Sequence, residues 1–152
     1  MKLLFLDIDG VLNSFRSDLV LSNEHTVENL DPIAVELVRK VVEITGCVIC
    51  LSSEWRYKHD FMELGKKLKL PIMFETDHTR SNRGHGEESR AEEIQKVVDE
   101  LKPDVYAILD DDDYEHEFEG MPMVNVANEC GFNYGDYQLL LELLGKDFYK
   151  EV

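Results

Sequence analysis

The stretch Lys2-Leu3-Leu4-Phe5-Leu6-Asp7-Ile8-Asp9-Gly10 restricts the fold more than any other part of the chain. Leu3–Ile8 reads as a strand with no polar alternation, the pattern of a strand covered on both faces, as at the centre of a parallel sheet. It runs straight into two carboxylates at i and i+2, which on an extended chain point the same way. At about 4 Å and an effective dielectric near 20, such a pair repels by about 4 kcal/mol. Something at the end of this strand must offset that repulsion.

The rest of the chain repeats the opening theme, with apolar β-rich segments and amphipathic helical ones taking turns. Asp31-Pro32 starts a helix, with Asp31 as its N-cap and Pro32 at the first helical position. Ile33, Leu37, Val41 and Ile44 mark one face of it, and Gly46 closes it. Cys47–Leu51 reads as a second strand, followed by a polar-aromatic turn and a helix over about Lys58–Lys69. Pro71–Glu75 is a third strand, and Thr76–Gly86 an exposed loop with two Gly and two Arg. Glu87–Leu101 is helical, Val105–Leu109 and Met123–Val126 are strands four and five, and Tyr134–Leu144 is a final helix. Strand alternating with helix in this way predicts an α/β fold: a five-stranded parallel sheet with helices on both faces, in three Rossmann-like layers.

A length of 152 residues with 43% hydrophobic side chains suits one globular domain over 1–152. The first apolar run breaks at Asp7, too early for a signal peptide, and no run is long enough to span a bilayer. The expected address is therefore the cytosol, with no membrane partner. Cys47 and Cys50 spell C-x-x-C, but on a strand they face opposite ways, so buried structural thiols are expected rather than a disulfide or metal site. The net charge of −16, from 16 basic and 32 acidic residues, excludes a broad nucleic-acid surface. It leaves room for one phosphate ester in a small basic pocket.

In parallel sheets the ligand site lies beyond the carboxyl ends of the strands. Asp7 and Asp9 follow the first strand, Ser52 and Ser53 the second, and Asp110 and Asp111 the fourth, while Arg90 stands near the start of a helix. Carboxylates from different strand ends make an oxygen-lined site for a hard cation, and Mg²⁺ suits few carboxylates plus waters and a substrate phosphate. Such an ion answers the repulsion at Asp7 and Asp9. A serine hydroxyl and the arginine fork would hold the remaining phosphoryl oxygens, and Gly10 would let the backbone come close to the ligand.

Taken in order, "FLDIDGVLN", "ICLSSEWR", Arg90 opening a helix and "AILDDDD" resemble the four motifs of the haloacid dehalogenase (HAD) superfamily. The wording "LSSEWR" and "ILDDDD" is similar to a compact HAD group of phages and bacteria that is linked to RNA-repair proteins. The resemblance implies a HAD phosphatase with Asp7 as the nucleophile that forms an aspartyl-phosphate. It implies Asp9 as the acid toward the leaving group and then the base for water, a role in which neighbouring negative charge helps it hold a proton. Asp7, the backbone carbonyl of Asp9 and Asp110 would sit on Mg²⁺, with Asp111 on the ion or just behind it, and Ser52 would bind phosphate. The family's third motif is commonly lysine; here Arg90 is better placed than Lys96, because a helix N-terminus also helps bind anions.

Plainer roles compete at several positions. Asp-Gly is a common turn pair, although three further motifs in order speak against a mere turn at Asp9-Gly10. Asp112 and Asp113 read as solvated charges. Trp55 and Arg56 are either a substrate contact or packing for the turn after strand two, and Asn13 is either a turn residue or a hydrogen-bonding partner in the site. His59, His78, His85 and His116 lack metal-ligand spacing. Arg80, Arg83 and His85 form a local basic patch in a loop read as solvated.

About eighteen residues separate Asn13 from Asp31, and about thirty separate strands three and four, so only a minimal cap fits. The expectation is a Mg²⁺-dependent phosphomonoesterase acting on nucleic-acid or nucleotide phosphate ends. A small-metabolite or nucleoside monophosphate phosphatase is the alternative within enzymes, and a non-catalytic Mg²⁺-binding module the alternative outside them. The oligomeric state has no signature in the sequence.

Overall fold

The computed structural model describes residues 1–77, 89–112 and 116–145. Five parallel strands, β1 (Lys2–Leu6), β2 (Val48–Leu51), β3 (Ile72–Glu75), β4 (Val105–Asp110) and β5 (Met123–Asn125), form one sheet in the order β3-β2-β1-β4-β5. β1, apolar from Leu3 onward, takes the central place its sequence demands. Leu4 pairs with Ile49 on one side and Ala107 on the other, and Leu3 to Leu6 are all fully buried.

The chain lays down β1, β2 and β3 in one direction, then returns across the sheet to add β4 and β5 on the other side of β1. Right-handed crossovers therefore place the helices of the first two crossings on one face and the helix of the return crossing on the other. Leu4, Leu6, Ile49, Leu51 and Leu109 pack with α2 (Pro32–Thr45), α3 (Phe61–Leu68) and α5 (Tyr134–Leu143). Leu3, Phe5, Cys50 and Ile108 face the other way, onto Ile94 of α4 (Arg90–Leu101) and Phe118. The point where strand order reverses lies between β1 and β4, the place where such sheets open a ligand crevice.

Two local readings need correction. α2 starts and stops as expected, with the Asp31 side chain accepting from the Ile33 amide and Gly46 in the left-handed region at φ 71°. Its buried face, however, runs through Ala34, Val38, Val41 and Thr45, and Ile33 is 71% exposed. Its apolar stripe is broad enough that the centre line was ambiguous; Leu37 and Ile44 pack along its margin. The helix expected over about Lys58–Lys69 is present as α3 but starts later, at Phe61, because Asp60 caps it by accepting from the amides of Met62 and Glu63; the turn before it, Glu54–Tyr57, is 3₁₀. Arg90 is the first residue of α4, and the stretch proposed before it at Glu87 lies outside the described residues.

Between Asn13 and Asp31 the sequence pattern announces no element. A two-turn helix, α1 (Phe15–Val20), stands there, closed by a reciprocal cap between Ser14 and Ser17, and Val27–Asn29 adds a 3₁₀ turn. α1 is fastened to the loop after β5, as the amides of Phe15 and Arg16 donate to the carbonyls of Asn128 and Glu129. Cys47 and Cys50 belong to opposite cores, as the strand parity requires, and burial pushes both thiols up. Among the described residues, no helix is long and apolar enough to cross a membrane.

Candidate active site

On each of four neighbouring strands, the residue two places after an apolar side chain on the α4 face is polar and buried: Phe5 to Asp7, Cys50 to Ser52, Phe74 to Thr76, Ile108 to Asp110. Period-two alternation aims all four toward the same face. Their backbones continue the ladder beyond the strands, with Asp7 N–H donating to Leu109, Ser52 N–H to Leu6 and Thr76 N–H to Leu51. The sheet thus ends in a polar layer rather than a frayed edge. The Ser52 and Thr76 hydroxyls are buried with no hydrogen-bond partner among the described residues.

Asp7, Asp110 and Asp111 bring one oxygen each to within 4.8 Å of one another. Arg90 reaches the same place, its Nη1 2.8 Å from Asp110 Oδ2 and 3.9 Å from Asp7 Oδ2. The α4 amides do less than expected for an anion, since Ala91 N–H donates to Glu117 and Glu92 N–H to Ser89. It is the Arg90 side chain that turns to the carboxylates. Lys96 is exposed and does not line the cavity.

One cation does not neutralise three carboxylates. Burial raises the Asp7 carboxyl well above its usual range, and the charge of Asp110 adds to this while Arg90 opposes it. Burial likewise pushes Asp110 up to about 6 against the pull of Arg90. For Arg90 itself burial works against the charge, but Asp110 and Asp7 outweigh it and hold the guanidinium protonated. Crowded, hard, partly uncompensated oxygen donors fit a small divalent cation.

A carboxyl with a raised value in the fold binds its proton more tightly there than in the unfolded chain. Its contribution therefore favours folding below the unfolded value of 3.8 and is lost as pH rises through about 6. In chelator, the melting temperature is expected to fall over this range, and Asp110→Asn should flatten that slope. A slope unchanged by the substitution would show that Asp110 carries no such linkage.

Asp9 is turned away from this cluster. Its Oδ1 accepts from Asn13 Nδ2 at 2.9 Å and from Trp55 Nε1 at 2.9 Å, and His25 Nδ1 lies 3.2 Å away. Asn13 also takes the Gly10 amide on its Oδ1, so Asn13 hydrogen-bonds within the site rather than merely shaping a turn, and Trp55 donates to the Asp9 carboxylate. His25 was not singled out in the sequence; it arrives from the loop after α1, where its Nε2 lies 3.5 Å from Asp18. Nothing local marks it, because its partner is sixteen residues away and depends on where that loop folds back.

Gly10 adopts φ +83°, and a Cβ there would stand 2.1 Å from Asp111 Oδ2. The close approach expected at this glycine is thus made by a carboxylate of the cluster. Gly10→Ala is expected to lose about 1–2 kcal/mol from the left-handed backbone alone. It should also displace Asp111 and weaken divalent-cation binding in a calorimetric titration; unchanged affinity would refute the coupling.

Arg56 proves to be packing. It is buried, donates from Nη1 to the carbonyls of Ser52 and Ser53 at 2.9 Å each, and pairs with buried Glu93 of α4 at 3.2 Å. Ser53 lines the cavity and caps the 3₁₀ turn, its Oγ accepting from Trp55 N–H at 3.1 Å. Asp112 is exposed on the rim and donates its amide to Asp110 Oδ1. His59 is half-buried against Trp55 and His116 is exposed. Asp113, His78, His85, Arg80 and Arg83 lie outside the described residues. The cavity itself is about 390 Å³; besides Asp7, Asp9, Arg90 and Asp111 it is lined by Glu54, which stands within the "LSSEWR" stretch, and by Asn128, which no motif announces.

Searches of the curated proteins and of the solved structures returned no match. The family described as the HAD domain in Swiss Army Knife RNA repair proteins matches residues 3–136, which take in all five strands but for Lys2 and every carboxylate of the cluster. With this sheet order, and with acids at the ends of β1 and β4, the chain belongs to that family of HAD domains.

Proposed function

We propose that this chain is a Mg²⁺-dependent phosphomonoesterase acting on nucleic-acid or nucleotide phosphate ends through an aspartyl-phosphate. The observation that carries the reading is the juxtaposition of Asp7, Asp110, Asp111 and Arg90 beside an independently anchored Asp9. Asp7, Asp110, Asp111 and the Asp9 carbonyl would hold Mg²⁺, which when bound supplies the positive charge that lets a carboxylate nucleophile and a phosphate dianion share one cavity.

Asp7 attacks phosphorus as the bond to the leaving oxygen breaks, and Asp9 gives its proton to that oxygen. Trp55 and Asn13 hold Asp9 by Oδ1, which leaves Oδ2 as the oxygen to carry the proton. In the second step Asp9 takes a proton from water, the water oxygen bonds to phosphorus, and the acyl-phosphate bond breaks to release phosphate and restore Asp7. Arg90 and the Ser52 and Ser53 hydroxyls hold the non-reacting phosphoryl oxygens. Ser53 lines the cavity, and the fully buried Ser52 hydroxyl beside it in sequence has no partner among the described residues, which supports a donor role for this turn.

The short insert favours a large substrate, since α1 and one 3₁₀ turn are too little to enclose a small metabolite. The description of the matching family as RNA-repair domains points the same way. A cytosolic setting agrees with three free cysteines.

The test is phosphate release from 3′- and 5′-phosphorylated oligonucleotides, mononucleotides, sugar phosphates and phosphopeptides, with Mg²⁺ and with chelator. Mg²⁺-dependent release is expected, highest on the nucleic-acid ends. Preference for sugar phosphates would make it a metabolite enzyme, and Mg²⁺ binding without release from any substrate would make it a binding module.

A further inference from the structure

A second cavity, of about 220 Å³, adjoins the first and shares Asp9 and Glu54 with it. It is smaller than the roughly 300–1,000 Å³ of sites that engulf a whole drug-sized ligand. It therefore takes part of a substrate, one ring system in size. Its position says which part. In an in-line displacement the leaving oxygen departs opposite the nucleophile, and the group that protonates it stands on the departing side. The second cavity begins at Asp9.

The lining is aromatic and held in place. Trp55 is 5% exposed and fastened to Asp9 through Nε1. The His59 ring stacks on it, with centroids 4.8 Å apart and 20° between planes. Tyr57 is 42% exposed, with the buried Arg56 guanidinium 4.7 Å from its ring centroid and Arg56 Nη2 3.2 Å from its hydroxyl. Rings fixed before binding lose little entropy when a ligand stacks on them. Glu54 and Lys58 add a carboxylate and an ammonium to the same wall.

From this arrangement we infer that the cavity at Trp55, Tyr57 and His59 is a base-binding subsite that receives the nucleobase of the nucleoside leaving group. The inference rests on the phosphomonoesterase reading and names the chemistry of its substrate. A heterocycle uses both parts of the wall, stacking on the rings and hydrogen-bonding its edge to the acceptor and donor beside them. The phenyl ring of a phosphotyrosine would leave the polar wall unused, and a sugar phosphate would leave the rings unused.

Trp55 is the one tryptophan of the chain, so its fluorescence reports directly on this cavity. The experiment titrates the 152-residue chain carrying Asp7→Asn in Mg²⁺ with AMP, ribose 5-phosphate, a phosphotyrosine peptide and a 3′-phosphorylated oligonucleotide, correcting for absorbance. Saturable quenching by AMP, and none by ribose 5-phosphate at equal concentration, is expected. His59→Ala should reduce the ratio of AMP to ribose 5-phosphate affinity roughly 5- to 150-fold, the loss that accompanies removal of one base–aromatic stack. His59→Phe, which keeps a ring, should restore the ratio.

Equal binding of AMP and ribose 5-phosphate, or a ratio unmoved by His59→Ala, would overturn the subsite. Tighter quenching by the phosphotyrosine peptide would overturn it in favour of a protein substrate. The two readings fail separately. Release of phosphate from AMP and ribose 5-phosphate at equal kcat/KM would leave the phosphatase standing without the subsite. AMP quenching with no phosphate release by the wild type would leave the subsite without the phosphatase. The oligonucleotide binding more tightly than AMP would identify a polymer end as the source of the nucleoside.

Discussion

Asp7→Asn is expected to abolish phosphate release, by roughly 10⁴- to 10⁶-fold, the range seen when a catalytic nucleophile is removed. Asparagine fills the same space at the end of β1, so the loss would not come from misfolding. It also removes one of three carboxylates crowded within 4.8 Å. In chelator the variant should therefore be more stable than the wild type, by about 1 kcal/mol or more, which for a chain of this size is about 2–4 °C in Tm. A side chain whose removal raises stability while ending turnover is retained for chemistry, not for the fold. Measuring phosphate release and thermal melting on the same preparation checks both. Full activity in the variant would mean that the nucleophile lies elsewhere, and a lower melting temperature in chelator would mean that the crowding is already relieved.

The largest expected loss of stability lies away from the reacting atoms, at Arg56 and Glu93. Both side chains are essentially fully buried, 1% and 0% exposed, and they pair at 3.2 Å. Removing one partner breaks a buried ion pair, which costs about 3–5 kcal/mol, a large share of the roughly 5–15 kcal/mol that holds a domain folded. Arg56→Ala should show this in urea denaturation as a lower midpoint. It also strips the Ser52 and Ser53 carbonyls of their shared donor, so the phosphate-side turn should loosen with it. Replacing both partners together, Arg56→Met with Glu93→Leu, should recover most of the stability, because no orphan charge remains. A loss under about 1 kcal/mol for Arg56→Ala would place the pair with weak surface bridges instead.

Some of the site was readable because the relevant residues are adjacent in sequence to strands that announce themselves. The unbroken apolar run Leu3–Leu6 implied a central parallel strand, and parallel strands carry their ligands at their carboxyl ends. Asp7, Ser52, Asp110 and Asp111 could therefore be gathered before any coordinates. Arg90 could be chosen over Lys96 by its place at a helix start, although the reason differs: its side chain reaches the acids, while Glu117 and Ser89 occupy the neighbouring amides.

Other members had no such signal. Arg56 looked equally suited to a substrate contact and to packing, because an arginine beside a site looks the same in sequence whichever way it points. Its direction was decided by Glu93, thirty-seven residues on, meeting it from α4. Ile33 looked like core because it shares a broad apolar stripe with Ala34 and Val35, and only the docking of α2 on the sheet set which edge faced solvent. α1 went unseen because its exposed Phe15, Leu19 and Val20 break the amphipathic pattern that would have revealed it.

Local chemistry thus determined the strands, the caps at Asp31 and Gly46, and the set of acids available at the sheet's edge, because backbone pleat and capping act over a few residues. The environment of Asp9 was decided by the tertiary structure alone. Asn13 comes from the same turn, but Trp55 and His25 converge on that one carboxylate from the turn after β2 and the loop after α1. Such contacts depend on the register of whole elements, which no short stretch of sequence contains.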